Sequence, residues 1–196
     1  MKQVVFAAVV GFCLASPSWL TAQTYNHGEV GIFADYFRLD RTSPTTNFAG
    51  LGARASFNIR PHLALEGEMA YDFKRTFTST FSDGITTQFV NTDLRPLHAL
   101  FGPRYQLGTS GPFRVFATGK VGFVNFSTSN QNASSGFQGA LGAVTSGDTR
   151  FALYPGVGAE AFWGPFGMRL DVGDQIYFDN GARNNLKITF GPHMRF

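Results

Sequence analysis

The sequence predicts an all-β protein, an eight-stranded antiparallel up-and-down transmembrane β-barrel. Three observations lead there. Apolar side chains alternate with polar or small ones through eight separate runs, and no long helical period interrupts them. Short turns and longer polar connections take turns between those runs. The 196 residues include 22 Phe and 23 Gly, while charged residues are only 15%. That balance suits aromatic-rich strands with close backbone approaches better than an average soluble domain. The length fits one domain. A net charge of +3 is too small to indicate nucleic acid as a partner.

Residues 1–23 read as a secretory signal peptide, leaving 24–196 as the barrel domain. Lys2 supplies the positive start, and Val4 to Ala15 is an apolar run too short for a spanning helix. Small residues follow at Ser16, Ser18, Thr21 and Ala22, with cleavage expected after Ala22 or Gln23, or after Ser18. Cys13, the single cysteine, falls inside the apolar run, so the mature chain has no disulfide or thiol chemistry.

The eight strands are expected near 29–39, 48–60, 63–75, 93–107, 112–127, 149–163, 166–179 and 185–196. In the second, Leu51, Ala53, Ala55, Phe57 and Ile59 share one face, opposite Gly52, Arg54, Ser56, Asn58 and Arg60. In the third, Leu63, Leu65, Gly67, Met69, Tyr71 and Phe73 oppose Glu66, Glu68, Asp72 and Lys74. The fourth sets Leu97, Ala99, Phe101, Pro103, Tyr105 and Leu107 against His98, Gly102, Arg104 and Gln106. The sixth sets Phe151, Leu153, Val157, Ala159, Ala161 and Trp163 against Arg150, Tyr154, Gly156, Gly158 and Glu160. The seventh sets Phe166, Met168, Leu170 and Val172 against Arg169, Asp171 and Gln175. The last alternates to its final residue, Phe196, so it must pair on both edges or remain exposed, and a closed barrel solves this. The first and fifth are less regular, because Phe33, Phe37, Phe116 and Val124 fall on the polar phase. Short turns are expected at 61–62, 108–111 and 164–165, and loops at 40–47, 76–92, 128–148 and 180–184.

Alternation does not say which face points inward, since a soluble ligand carrier shares the period with its apolar face inside. The strands are long enough to cross a bilayer at a tilt. Gly52, Gly102, Gly122, Gly156, Gly158, Gly173 and Gly191 sit on the polar face, where a narrow lumen needs room for neighbouring Arg and Glu. Aromatic residues mark both ends of the apolar face: Phe57, Tyr105, Phe113, Trp163, Phe166 and Phe196 near the turns, and Tyr36, Tyr71, Phe73 and Phe178 near the loops. The apolar face is therefore expected outward, in lipid.

The terminal strand carries the most specific pattern, Thr189, Gly191, Met194 and Phe196, and softer patterns lie in Gly50 to Arg54, Leu65 to Glu68, Phe101 to Tyr105 and Pro155 to Gly158. With these the chain resembles the small bacterial outer-membrane β-barrel proteins, similar to the barrel domain of outer-membrane protein A, over its whole mature length. The resemblance implies that Thr189, Gly191, Met194 and Phe196 form an assembly signal read by the barrel assembly machinery. It also implies integration into the bacterial outer membrane after export. No appended peptidoglycan-binding domain is expected, since nothing follows Phe196.

The polar face carries both charge signs. Glu29, Arg54, Glu66, Glu68, Arg104, Lys120, Glu160, Arg169, Asp171 and Arg195 are expected to form a lumen ion network, because unpaired buried charge is costly. The Gly164–Pro165 turn sets Glu160 opposite Arg169, and Arg195 can meet Glu29 at the seam. Asp35, Asp72, Lys74, Arg114, Arg150 and Lys187 share that face. His27, His62 and His193 scatter toward the turn end with no serine and acidic orienter at one rim, so no catalytic site is expected. No metal-ligand spacing appears, although Asp35, Asp72 and Asp179 near the outer rim could offer calcium a site. No cofactor is expected. Gly156-Val157-Gly158 lies inside a strand and signals no nucleotide. Asn132-Ala133-Ser134 matches a glycosylation triplet of little meaning in a bacterial loop.

The expected role is structural or surface interaction through the loops, with the lumen plugged by ion pairs. Lipid, the assembly machinery and an outside partner of the loops are the expected partners, and the protein is expected as a monomer. The alternatives are a narrow ion channel, a soluble barrel binding an apolar ligand, and a lipid A-modifying enzyme.

Overall fold

The computed structural model describes residues 27–40, 46–82, 87–108, 111–131, 148–179 and 181–196. The signal-peptide reading of 1–23, with Cys13, and the Asn132 to Ser134 triplet lie outside the described residues. The strands are β1 (Gly28–Leu39), β2 (Thr46–Arg60), β3 (Leu63–Asp72), β4 (Arg75–Ser82), β5 (Thr87–Leu107) and β6 (Phe113–Gln131). They continue as β7 (Asp148–Trp163), β8 (Phe166–Asp174), β9 (Ile176–Phe178), β10 (Ala182–Arg183) and β11 (Leu186–Arg195). No helix occurs among the described residues.

These segments make eight staves, because β4 extends β3, β9 extends β8, and β10 precedes β11 on one stave. Every pairing is antiparallel, and the ring runs β1, β2, β3, β5, β6, β7, β8, β11 and back to β1. Closure satisfies both edges of the terminal strand: Gly28 N–H donates to the Phe196 carbonyl at 3.0 Å, and Phe196 N–H to that of Gly28 at 2.9 Å. The Gly164–Pro165 turn places Gly164 at φ 66°, a left-handed value that glycine adopts without steric cost.

The alternating pattern becomes two surfaces. Outward residues such as Ile32, Leu51, Met69, Phe101, Val121, Phe151, Val157, Leu170 and Phe190 are exposed. All ten ring-bearing residues expected at the ends of the apolar face are exposed as well, from Phe113 at 68% to Tyr36 at 37%. A water-soluble barrel with this exterior would present apolar surface far larger than soluble monomers carry, so the soluble-carrier reading does not hold.

Three features differ from the sequence reading. First, 76–92 is not simply loop: β4 pairs with the start of β5 from Arg75↔Leu94 to Ser82↔Thr87. Second, pairing slips by one residue between Tyr71↔Leu97 and Arg75↔Leu94. The slip turns Lys74 away from the lumen, and its side chain, 55% exposed, bridges Asp93 at 3.2 Å. Third, Phe33, Phe37, Phe116 and Val124 are not irregular: all four are buried in the lumen, in phase with their strands. The interior is part aromatic, which a hydrophobic-equals-outward reading misses.

Candidate functional site: the charged lumen

The lumen is built from successive levels. Nearest the turns, Arg104 on β5 reaches across to Glu160 on β7 at 2.5 Å and Glu29 on β1 at 2.6 Å. Gln106 Nε2 donates to the second Glu160 oxygen at 3.1 Å. Above this lies Glu66, wholly buried, which accepts two hydrogen bonds from Arg169 and an ion pair from Lys120 at 2.6 Å. Arg169 also donates to Asp171 at 3.0 Å and lies 3.4 Å from Glu160. Lys120 meets Glu68 at 2.6 Å. Tyr154 O–H donates to Asp171 at 2.7 Å, and Arg54 donates to Thr189 Oγ1 at 2.6 Å. Each charge thereby gains partners from other strands, the condition for tolerating ions in a dry interior.

Aromatic rings brace the cations. Phe116 lies under Arg169 at 4.1 Å and Arg104 at 5.7 Å, and Phe33 under Arg54 at 4.2 Å, cation–π distances. The inward glycines make room for these rings more than for Arg and Glu directly. A Cβ at Gly158 would overlap Phe116, and one at Gly52 would overlap Phe33. At Gly156 and Gly173 it would fall 2.8 and 2.6 Å from the Tyr154 ring. At Gly102, Gly122 and Gly191 it would collide with backbone of the neighbouring strand instead.

Toward the loops the chemistry changes. Lys187 sits between Asp35 at 3.3 Å and Glu68 at 3.5 Å. His98 Nε2 is 2.9 Å from Asp72, while Gln175 Nε2 is 2.7 Å from His98 Nδ1. With Gln175 as donor, His98 carries its proton on Nε2 and donates it to Asp72. Asp35 and Asp72 are not rim carboxylates: they are 3% and 0% exposed, with Lys187 beside Asp35 and His98 beside Asp72. Phe37 closes on His98 edge-to-face at 4.7 Å, and Phe37, Leu39, Phe48, Leu94, Val124 and Tyr177 form an apolar layer above.

Of the residues expected in the network, Glu29, Arg54, Glu66, Glu68, Arg104, Lys120, Glu160, Arg169 and Asp171 come together. Arg195 does not. It is Glu29's partner in the β1–β11 register, but its Nε donates to the Gly164 carbonyl at 3.1 Å and its guanidinium stacks on Phe162. Arg104, reaching across the lumen, has taken Glu29. Glu160 and Arg169 do stand opposite in register, yet Glu160's shorter contact is again Arg104. His98, Gln175, Tyr154 and Lys187 were outside the expected network, and their signal was only polar-phase position on a strand. Of the terminal pattern, Thr189 and Gly191 face inward and Met194 and Phe196 outward.

The sequence matches no protein-family model and no curated relative. Solved structures do match in fold. The chain is similar to Ail, the attachment invasion locus protein of Yersinia pestis, in complex with the heparin analogue sucrose octasulfate: TM-score 0.51 and 13% identity, over 87% of this chain and 97% of that one. It is similar to Neisserial surface protein A, at TM-score 0.51 and 11% identity over 86% and 97% of the two chains. It is similar to the N-terminal β-barrel domain of Pseudomonas aeruginosa OprF, at TM-score 0.52 and 14% identity over 88% and 100%.

Fold and exterior together define the class: an eight-stranded transmembrane β-barrel of the small outer-membrane type. Its apolar belt, framed by two aromatic girdles, is that of a membrane-spanning barrel like the outer-membrane barrels it resembles, and a closed barrel is stable there because no backbone edge meets lipid.

Proposed function

We propose that the protein is a non-conducting structural barrel that displays its loops at the cell surface, where they carry any interaction with an outside partner. The observation carrying this reading is the cross-lumen cluster of Glu66, Arg169, Lys120, Arg104 and Glu160, all at most 3% exposed. Their bonds join β3, β5, β6, β7 and β8 across the lumen of a narrow eight-stranded barrel, which supports a plug at that level. The apolar layer around Phe37, Phe48 and Tyr177 supports the same reading from the loop side.

A lipid-modifying activity finds little support. His98 and Asp72 form a pair, but both are 0% exposed inside the lumen, out of contact with lipid. The terminal pattern Thr189, Gly191, Met194 and Phe196 is proposed as the signal for the assembly machinery. Conductance of the purified barrel in planar bilayers tests the function. A silent membrane is expected; reproducible open steps that change on Glu160→Gln or Arg169→Gln would overturn the plug and make the protein a narrow channel.

A further inference from the structure

The inward charges do not balance level by level. Among the described residues, seven carboxylates buried in the body of the lumen (Glu29, Asp35, Glu66, Glu68, Asp72, Glu160, Asp171) share it with five buried cations (Arg54, Arg104, Lys120, Arg169, Lys187). Asp93 and Asp179 are buried nearer the loops, beside Lys74 and Arg150. Two more inward arginines, Arg114 and Arg195, lie at the turn-side mouth. Arg114 stands opposite Glu160 in the β6–β7 register, and Arg195 opposite Glu29 in the β1–β11 register. Neither forms that ion pair, because Arg104 engages both acids at 2.5 and 2.6 Å.

Both guanidiniums instead lie against a single ring. The Cζ of Arg195 is 4.1 Å and that of Arg114 5.0 Å from the Phe162 centroid. His193 meets the same ring edge-to-face at 4.7 Å. Gly167, between Phe162 and His193 in the register, permits this: a Cβ there would fall 2.9 Å from His193 Cε1 and 2.9 Å from Phe162 Cδ1. His193 is 6% exposed, yet neither ring nitrogen has a hydrogen-bond partner, and the same holds for Arg114 Nε and Arg195 Nη1.

Buried donors without acceptors are costly, and two guanidiniums against one ring repel each other while the acids opposite them in register, Glu160 and Glu29, bond Arg104 instead. One ligand class relieves both. We propose that the turn-side mouth binds an oxyanion, a phosphate or carboxylate group, held by Arg114, Arg195 and His193 around the Phe162 ring. Guanidinium forks match such oxyanions in geometry and charge. Both arginines are only half-buried, so the site is open to the aqueous phase on the turn side. Glu29 and Glu160 offer ligand atoms within 4.8 Å of His193, but Arg104 engages one oxygen of each, with Arg169 3.4 Å from Glu160. A metal cation on those three residues is the competing occupant, and the two adjacent guanidiniums oppose it. The inference stands independently of whether the lumen conducts or the loops bind anything.

The test uses the purified barrel in a zwitterionic detergent, titrated with inorganic phosphate at ionic strength held constant with chloride. Phosphate line broadening by ³¹P NMR and the thermal midpoint of the gel-mobility shift are read together. Saturable binding to one site is expected, weakened at least tenfold in Arg114→Gln and in Arg195→Gln, and unchanged in Arg75→Gln at the opposite end. Native gel mobility before heating identifies folded variants, and Arg114→Gln carries the test if Arg195→Gln fails to assemble. Absence of saturation, equal binding by folded Arg114→Gln, or a zinc response in place of the phosphate response would overturn the proposal.

Discussion

Arg169 and Glu66 are separated by 103 residues in the chain and meet in the middle of the lumen through two parallel hydrogen bonds, one of them 2.9 Å. The bidentate geometry uses the planar guanidinium fork, and Phe116 backs it at 4.1 Å. Removing one partner leaves the dry network around Lys120, Asp171 and Glu160 one charge out of balance. Glu66→Met or Arg169→Met alone should each cost about 3–5 kcal/mol of unfolding free energy, and the double change should cost less than either single one. Urea unfolding in lipid vesicles measures this. Additive costs would mean that the pair is not the structural unit described.

The lipid face should reject charge. Leu153→Arg and Leu170→Arg should each cost about 2–4 kcal/mol near mid-membrane, and less toward the girdles. Glu66→Asp, an inward exchange that keeps the charge and both acceptor oxygens, should leave heat-modifiable gel migration intact. A Leu170→Arg protein as stable as wild type would place that side chain in water.

The glycines separate into two kinds, and substitution should distinguish them. Gly158→Ala pushes on Phe116 and, through that ring, on Arg169 and Arg104, so it should destabilise by about 1–3 kcal/mol, as overpacking does. At Gly67, on the outer face, an added Cβ meets only Phe101 Cδ2 at 3.6 Å, an ordinary contact. Gly67→Ala should be neutral or slightly stabilising, since alanine loses less backbone freedom on folding. Parallel unfolding curves of the two variants check the contrast.

His98 should be a neutral imidazole with its proton on Nε2, held between Gln175 and Asp72. Nitrogen-15 NMR of the labelled barrel is expected to show that tautomer, and Gln175→Ala should mix the tautomers while leaving barrel assembly intact. A proton on Nδ1 in the unmodified protein would contradict the assigned hydrogen bonds.

Much of the fold was legible because one face of each strand must match lipid and the other must not. Alternation in Leu51 to Ile59 and Leu63 to Tyr71 states this directly. Cross-strand neighbours one short turn apart, such as Glu160 and Arg169 around Gly164–Pro165, followed from counting. Partners across the lumen did not. Whether Glu29 meets Arg195 beside it or Arg104 opposite it depends on barrel diameter and stagger, which no local pattern contains. The buried Phe33, Phe37 and Phe116 were obscure for a related reason: a ring that braces a guanidinium and a ring that faces lipid look alike in sequence. The turn of Lys74 out of the lumen came from a one-residue slip, and a slip reverses the side-chain faces beyond it.

The account rests on an apolar exterior solvated by lipid around a closed, charged interior. Spin labels placed singly along β8, at 168, 169, 170, 171 and 172 in a barrel reconstituted in vesicles, test it most directly through collision with oxygen and with a water-soluble nickel complex. Labels at 168, 170 and 172 should collide with oxygen and not nickel, and those at 169 and 171 with neither. Nickel collisions at 168, 170 and 172 with an oxygen-accessible 169 and 171 would invert the barrel and contradict the account.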